Sequence, residues 1–193
     1  MIRAIVFDCY GVMVGSSFWD IYHAAGGDIR KDQQFVDDML ARANAALISN
    51  EDFSRTVAKQ LHISVDEWLE YTRRMEQPNK PLLEYIRAEL KPHYKIGLLS
   101  NANRDSVERR MPADALAMMD AVVVSGEVGY MKPDSEIFEL TAKRLDVLPD
   151  QMVFIDDLQD YVDAARRLGI PSVRYTSLEA LRPKLTEILS DER

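Results

Sequence analysis

Four short hydrophobic stretches of this sequence each end in, or lead into, polar and charged side chains that could do chemistry. In chain order, these side chains are Asp8, Ser100 with Asn101, Lys132, and Asp156 with Asp157. Ligands of a parallel sheet bind beyond the carboxyl ends of its strands. If the strand order brings these four ends together, one pocket contains three carboxylates, a lysine, a hydroxyl and an amide.

Three carboxylates in one pocket repel each other, and burial adds a penalty on their charged forms. One lysine cannot neutralise them, whereas a hard divalent cation can. Mg²⁺ takes oxygen ligands and often uses only one or two carboxylates together with a substrate phosphate. A carboxylate that contacts both the metal and a phosphorus atom can act as a nucleophile and form an aspartyl-phosphate. The pattern therefore predicts a Mg²⁺ site suited to phosphoryl transfer.

Taken singly, each of these residues has an ordinary structural explanation. An aspartate or a Ser-Asn pair after a strand often caps the next helix, and a single lysine is usually exposed. The combination, with each residue type at the end of a strand, favours a shared site instead.

The hydrophobic stretches lack clean alternation, as expected for strands buried on both faces. They predict strands over 2–10, 94–100, 120–126, 151–157 and 171–177. Helical periodicity lies between them, over 81–90, 135–146, 161–170 and 177–190. This alternation predicts an α/β fold, a Rossmann-like three-layer α/β/α core with a parallel sheet.

The segment 16–79 contains no strand-like stretch. It predicts helices over 18–25, 31–47, 50–61 and 64–76, the last opened by a capping box of Ser64 and Glu67. We therefore expect an α/β core domain of residues 1–15 and 80–193, with a small all-helical cap of residues 16–79 inserted after the first strand. The cap would cover the pocket. Trp19 could line a substrate pocket there or pack in the cap core.

Composition narrows the class of protein. The 193 residues are 47% hydrophobic and carry a net charge of -8, which argues against nucleic acid or an anionic membrane as a partner. The paired arginines at 73–74, 109–110 and 166–167 are expected on solvated helix faces. A single cysteine, Cys9, excludes an intrachain disulfide, and the absence of a signal-like start or a long apolar stretch predicts a cytoplasmic protein. We expect Cys9 to be buried.

The motifs around these residues resemble those of the haloacid dehalogenase superfamily, most of whose members are phosphatases. The segments VFDCYGV, GLLSNAN, MKPDSEIF and VFIDDLQDYVDAARRLGI occur in the order of that family's four motifs. The resemblance implies that Asp8 is the nucleophile. It also implies that Ser100 and Lys132 bind the phosphoryl group, with Asn101 beside them.

The same resemblance implies a metal site. Asp157 aligns with the family's metal carboxylate, Asp156 is its neighbour and contributes to the site, and the backbone carbonyl of residue 10 is a further ligand beside Asp8. The metal implied is Mg²⁺.

Tyr10 departs from the phosphatase pattern, in which a second aspartate at this position protonates the leaving group. A phenol with a pKa of ~10 is a poor base at neutral pH. The Asp-x-Tyr-Gly spelling resembles 2-haloacid dehalogenases, which attack carbon without a metal. Those enzymes, however, carry Ser and Asn in the fourth motif and not a pair of acids such as Asp156 and Asp157. The spellings LSNANR and FIDD resemble instead a branch with sugar-phosphate phosphatases and the N-terminal phosphatase domain of mammalian soluble epoxide hydrolase.

We therefore expect a Mg²⁺-dependent phosphatase that hydrolyses a small phosphorylated metabolite and is a monomer or homodimer. A metal-independent dehalogenase and a non-catalytic binding protein are the alternatives.

Overall fold

Five parallel strands form one sheet in the computed structural model, which describes residues 1–45 and 47–190. The strands are Ala4–Phe7 (β1), Lys95–Ser100 (β2), Ala121–Val124 (β3), Met152–Asp156 (β4) and Ser172–Arg174 (β5). Their order in the sheet is β3-β2-β1-β4-β5, so β1 lies at the centre between β2 and β4. Each predicted strand is confirmed, with ends that lie inside the predicted range.

Both faces of this sheet are covered, which explains the unbroken hydrophobic stretches. Ile5 and Phe7 of β1 belong to one buried cluster, whereas Ala4 and Val6 belong to the cluster on the opposite face. All four residues are fully buried. Successive side chains of a strand point to opposite faces, so a strand covered on both sides needs apolar residues at every position.

Four helices follow the first strand: Phe18–Ala24 (α1), Ile29–Asn44 (α2), Asn50–Gln60 (α3) and Val65–Met75 (α4). They share a hydrophobic cluster of their own. The ring of Phe18 lies 5.7 Å from Tyr22, 5.6 Å from Phe53 and 5.7 Å from Trp68, between ring centroids. This separate cluster supports our proposal that residues 16–79 form a cap.

The remaining helices cover the sheet. They are Lys80–Tyr85 (α5), continued by a π-helical turn over Ile86–Leu90, then Arg104–Arg110 (α6), Ala113–Ala117 (α7), Ser125–Val128 (α8), Ser135–Arg144 (α9), Gln159–Arg167 (α10) and Leu178–Ser190 (α11). A 3₁₀ turn, Pro149–Gln151, precedes β4. Helices α5 and α11 pack on one face of the sheet, and α9 and α10 pack on the other. The three-layer α/β/α architecture is therefore confirmed. No helix among the described residues combines the length and apolar character needed to cross a bilayer.

The predicted helices are present, with some differences at their ends. The helix predicted over 31–47 begins earlier and ends at Asn44, where Ala45 caps it; residue 46 lies outside the described part of the chain. The capping box before α4 is confirmed, because Ser64 Oγ accepts from the Glu67 N–H at 3.2 Å and Glu67 Oε2 accepts from the Ser64 N–H at 2.8 Å. Helices α6, α7 and α8 were not predicted; they have seven, five and four residues.

Asn79 fixes the point where the chain returns from the four helices to the sheet. Its side-chain amide donates to the Val12 carbonyl at 2.9 Å and to the Tyr175 hydroxyl at 2.8 Å. Its backbone N–H donates to the Met13 carbonyl at 2.8 Å. The two crossings between core and cap are thereby tied to each other and to the segment after β5.

We expect Trp68→Ala to lower the free energy of unfolding by about 3–5 kcal/mol, because it opens a cavity in the hydrophobic cluster that helices α1 to α4 share. Trp68 is 1% exposed. Urea denaturation followed by circular dichroism measures the change. The neighbouring Leu69, which is 41% exposed, provides the matched control as Leu69→Ala. Equal destabilisation by the two variants would contradict the assignment of Trp68 to the cap core.

Candidate active site

The sheet order brings the ends of three strands to one edge. Asp8 follows β1 directly and its N–H donates to the Ile155 carbonyl at 2.9 Å, which continues the ladder with β4. Ser100 is the last residue of β2 and Asp156 is the last residue of β4, so both flank Asp8. All three side chains are buried. The pocket expected from the sequence therefore exists at this edge.

Lys132 lies between two of the acids. Its Nζ is 2.7 Å from Asp8 Oδ1 and 2.6 Å from Asp156 Oδ2, and the residue is 2% exposed. Burial alone would lower the pKa of Lys132, but the charges of Asp156 and Asp8 outweigh it and raise the pKa above the ordinary value. The lysine is therefore charged and acts as the bridge between the two strand ends.

The three acids form a compact oxygen cluster. One carboxylate oxygen each from Asp8, Asp156 and Asp157 lies within 4.8 Å of the others. Burial raises the pKa of Asp8 well above its usual range; Lys132 opposes this, while Asp156 and Asp157 add to it. Burial and then the charge of Asp156 raise the pKa of Asp157 to about 6, although Lys132 lowers it. Burial and the mutual repulsion of the acids therefore disfavour their charged forms, and Lys132 opposes both effects.

Asp156 and Asp157 have different surroundings. Asp156 is fully buried, and besides its bond to Lys132 it accepts from the Leu158 N–H at 2.9 Å. Asp157 is only partly buried, and its backbone carbonyl accepts from Arg174 Nε at 3.0 Å. The carboxylate of Asp157 is therefore the more accessible of the two.

Gly11 allows the loop after β1 to approach Asp157. A Cβ atom at Gly11 would lie 2.5 Å from Asp157 Oδ2, which is closer than real Cβ contacts come. The backbone φ of +81° at Gly11 is also one that residues with a Cβ rarely adopt. The Gly11 N–H donates to the Val14 carbonyl at 2.8 Å, which closes the turn.

The oxygen cluster fits a hard divalent cation. Its donors are carboxylate oxygens from two adjacent strand ends, and three acids against one lysine leave an excess of negative charge. Mg²⁺ prefers oxygen ligands of this kind. Both oxygens of Asp156 accept hydrogen bonds, Oδ2 from Lys132 and Oδ1 from the Leu158 N–H, whereas Lys132 contacts only Oδ1 of Asp8. A metal contact by Asp8 and Asp157 stays a prediction.

Asn101 contacts the backbone of Lys132 on both sides. Its Oδ1 accepts from the Lys132 N–H at 2.8 Å, and its Nδ2 donates to the Lys132 carbonyl at 2.8 Å. Nδ2 also donates to the Tyr161 hydroxyl at 3.2 Å. The Lys132 ammonium lies 5.0 Å from the centre of the Tyr161 ring and 5.4 Å from that of Phe154. The side chain of Asn101 therefore bonds to the backbone of Lys132. A direct contact between Asn101 and the substrate stays a prediction.

Tyr10 and Cys9 follow Asp8 in the same loop. Burial raises the pKa of the Tyr10 phenol above its usual range, and the charges of Cys9 and Glu76 add to this. The phenol therefore cannot act as a base at neutral pH. Cys9 is fully buried, as expected, and burial raises the pKa of its thiol as well. A metal contact by the Tyr10 carbonyl stays a prediction.

Trp19 packs with the cap cluster. Its ring meets Phe18 edge-to-face at 6.0 Å and Tyr22 at 6.1 Å. These are the contacts of a cap-core residue, one of the two roles considered from the sequence; contact with substrate stays a prediction. The charge of Asp20, on the same helix, adds slightly to the raised pKa of Asp157.

Polar contacts join α2, α3 and the C-terminal end of α4 to segments of the chain that follow β2 and β3. Asn50 and Asn103 exchange hydrogen bonds through their side-chain amides at 3.4 and 3.1 Å. Ser125 Oγ donates to the Asn44 carbonyl at 2.7 Å. Arg110 is ion-paired with Glu76, and the two side chains are 25% and 14% exposed. The expectation of a solvated helix face was therefore wrong for Arg110, because sequence alone did not show Glu76 opposite to it.

Sequence reasoning missed three contributors to this site: Gly11, Tyr161 and Arg174. The glycine of the Asp-x-Tyr-Gly sequence could have indicated the role of Gly11, since glycine next to a strand often marks a close approach of the backbone to another group. Tyr161 and Arg174 had no local signal, because their contacts are with residues distant in the sequence.

Solved structures show the same fold. A predicted HAD-like family hydrolase from Porphyromonas gingivalis superposes with a TM-score of 0.73 at 24% identity, covering 98% of both chains. A HAD family enzyme from Bacteroides thetaiotaomicron, in complex with magnesium and inorganic phosphate, gives a TM-score of 0.66 at 18% identity over 92% of this chain and 96% of that chain.

Curated relatives differ in how much of their length the chain spans. It is 29% identical to a phosphorylated carbohydrates phosphatase from Thermotoga maritima over 190 residues, which cover 89% of this chain and 83% of that protein. It is 25% identical to D-ribitol-5-phosphate phosphatase from Bacteroides thetaiotaomicron over 98% of this chain and 100% of that protein. It is 28% identical to drimenol cyclase drtB from Aspergillus calidoustus over 92% of this chain, but spans only 31% of that protein.

The family comparison covers most of the chain. The model of the haloacid dehalogenase-like hydrolases matches residues 2–169, a range that contains Asp8, Ser100, Lys132 and the acid pair. The chain therefore belongs to the haloacid dehalogenase-like hydrolase family.

Proposed function

We propose that this hydrolase is a Mg²⁺-dependent phosphatase that acts on a small phosphorylated metabolite through an aspartyl-phosphate at Asp8. The observation that carries the proposal is the cluster of carboxylate oxygens from Asp8, Asp156 and Asp157 within 4.8 Å. A site that attacks carbon in a carboxylate substrate gains nothing from three acids, since they repel that substrate. A phosphate ester with a bound cation suits them.

Asp8 is the nucleophile in this proposal. A carboxylate oxygen of Asp8 forms a bond to phosphorus, the ester P–O bond breaks, and the leaving oxygen takes up a proton. Water then attacks the same phosphorus and releases inorganic phosphate, which restores the Asp8 carboxylate. Lys132, 2.7 Å from Asp8, stabilises charge on the phosphoryl oxygens, and the buried Ser100 hydroxyl orients them.

Asp8, Asp157 and the carbonyl of Tyr10 would hold the metal, with Asp156 contributing beside them. When bound, Mg²⁺ supplies positive charge that offsets the acids and the phosphoryl oxygens. Burial raises the pKa of the Tyr10 phenol, which makes it a poor base at neutral pH. Without an aspartate at this position, we expect turnover to be slow unless another acid or base takes over the proton transfer.

A sugar or polyol phosphate is the substrate class that the relatives support. The phosphorylated carbohydrates phosphatase and the D-ribitol-5-phosphate phosphatase both align with nearly all of this chain.

We expect the purified protein to release inorganic phosphate from sugar and polyol phosphates, and to lose this activity in EDTA. A panel of phosphate esters and 2-haloacids, each with and without Mg²⁺, tests this. Phosphate release that needs Mg²⁺ supports the proposal. Halide release that survives EDTA would instead establish the dehalogenase suggested by the Asp-x-Tyr-Gly spelling, and neither product would favour a binding protein.

We expect Asp8→Asn to abolish phosphate release while the protein stays folded, since the amide cannot attack phosphorus and the side chain keeps its shape. Steady-state kinetics and the thermal unfolding midpoint measure the two properties. Asp52→Asn, on the exposed first turn of α3, is the matched control and should behave as the wild type. Residual turnover above one per cent of the wild-type rate would contradict the role of Asp8.

We expect Gly11→Ala to weaken Mg²⁺ binding by roughly 10–100-fold, the range typical for residues that orient metal ligands. The new Cβ would displace Asp157 Oδ2, 2.5 Å away. Isothermal titration with MgCl₂ measures the affinity without substrate. Gly26→Ala is the control, because Gly26 has a φ of +95° but no atom within 4 Å of the added Cβ. Equal Mg²⁺ affinity in both variants would show that Asp157 does not hold the metal.

A further inference from the structure

We propose that Asn101 and Tyr161 are positioning residues that hold the Lys132 ammonium between Asp8 and Asp156. The inference rests on the proposed function, in which Lys132 stabilises the phosphoryl group, and it assigns the task of placing that lysine to two other side chains.

Lys132 needs such support because of where it lies in the chain. It is in a turn between α8 and α9, in a stretch that belongs to neither a helix nor a strand. The hydrogen bonds of the sheet, which fix Asp8 and Asp156, therefore do not fix the backbone of Lys132. Contacts from other elements must do so.

The side-chain amide of Asn101 supplies these contacts. It accepts from the Lys132 N–H and donates to the Lys132 carbonyl, both at 2.8 Å. Two hydrogen bonds of opposite sense to one residue fix its orientation as well as its position. Asn101 directly follows β2, so the sheet fixes its position. Its amide in turn fixes the backbone of Lys132 in the turn.

Tyr161 completes the arrangement from α10. Its hydroxyl accepts from Asn101 Nδ2 at 3.2 Å, which holds the amide in the orientation that Lys132 requires. The face of its ring lies 5.0 Å from the Lys132 ammonium, a distance at which the ring attracts a cation. Tyr161 thus contacts both the Asn101 amide and the Lys132 ammonium.

The placement matters because the ammonium contacts two acids at once, at 2.7 and 2.6 Å. A displacement of about 1 Å in a catalytic group can reduce the rate by roughly 100-fold. We therefore expect Asn101→Ala to lower kcat by about 100-fold with a smaller change in KM. Tyr161→Phe, which keeps the ring and removes one hydrogen bond, should lower kcat by about fivefold.

A spectroscopic measurement tests the positioning without substrate. In protein labelled with ¹⁵N-lysine, the buried Lys132 ammonium should give a slowly exchanging NMR signal, identified by its loss in Lys132→Met. We expect this signal to shift or broaden in Asn101→Ala and in Tyr161→Phe. Tyr175→Phe is the matched control, because the Tyr175 hydroxyl accepts from the side-chain amide of Asn79 at 2.8 Å and not from that of Asn101. Its ammonium signal and its kcat should match the wild type.

The outcomes separate this inference from the proposed function. If no phosphate ester is hydrolysed by the wild type, the proposed function fails, and the ammonium signal alone still decides the positioning. An unchanged signal in Tyr161→Phe and Asn101→Ala overturns the inference, even if kcat falls, since the residues would then act on substrate directly. If Asn101→Ala does not fold, Tyr161→Phe decides by the same criterion.

Discussion

A buried ammonium group between two carboxylates is the interaction on which the rest of this structure depends. Lys132 is 2% exposed, and its partners Asp8 and Asp156 are 6% and 0% exposed. Removing Lys132 would leave the two buried carboxylates without a positive partner, at a cost of about 3–5 kcal/mol. The interaction also requires β1 and β4 to be parallel neighbours, since only then do Asp8 and Asp156 reach the same edge. The contacts of Lys132 with both acids therefore depend on this sheet order.

The two parts of the molecule are stabilised in different ways. The sheet and its helices share apolar clusters on both faces, and the four helices after β1 have a cluster of their own. The contacts described between them near the acids are hydrogen bonds and an ion pair. Water can replace contacts of this kind at little net cost. Apolar packing therefore holds each part together, whereas the described contacts that join the two parts are polar.

Much of this arrangement could be predicted from the sequence, because strand ends and acids are local signals. The hydrophobic stretches located the strands, and Asp8, Ser100 and Asp156 stand where the stretches end. Helix ends were less predictable: α2 ends at Asn44, before the end of the range 31–47 expected for it. The partners of Asn101 and Arg110 could not be predicted at all, since they depend on which loops meet after folding.

The reactivity of Cys9 can report on local opening of the structure beside Asp8. It is the only cysteine of the chain, it is fully buried, and it stands next to Asp8. A buried thiol reacts with an alkylating reagent only when the surrounding structure opens. The rate at which iodoacetamide modifies the native protein therefore reports how often the turn after β1 opens, at a single atom and with no introduced label. Ligands that bind beside Asp8 and hold the loop closed would slow that modification in proportion to their occupancy.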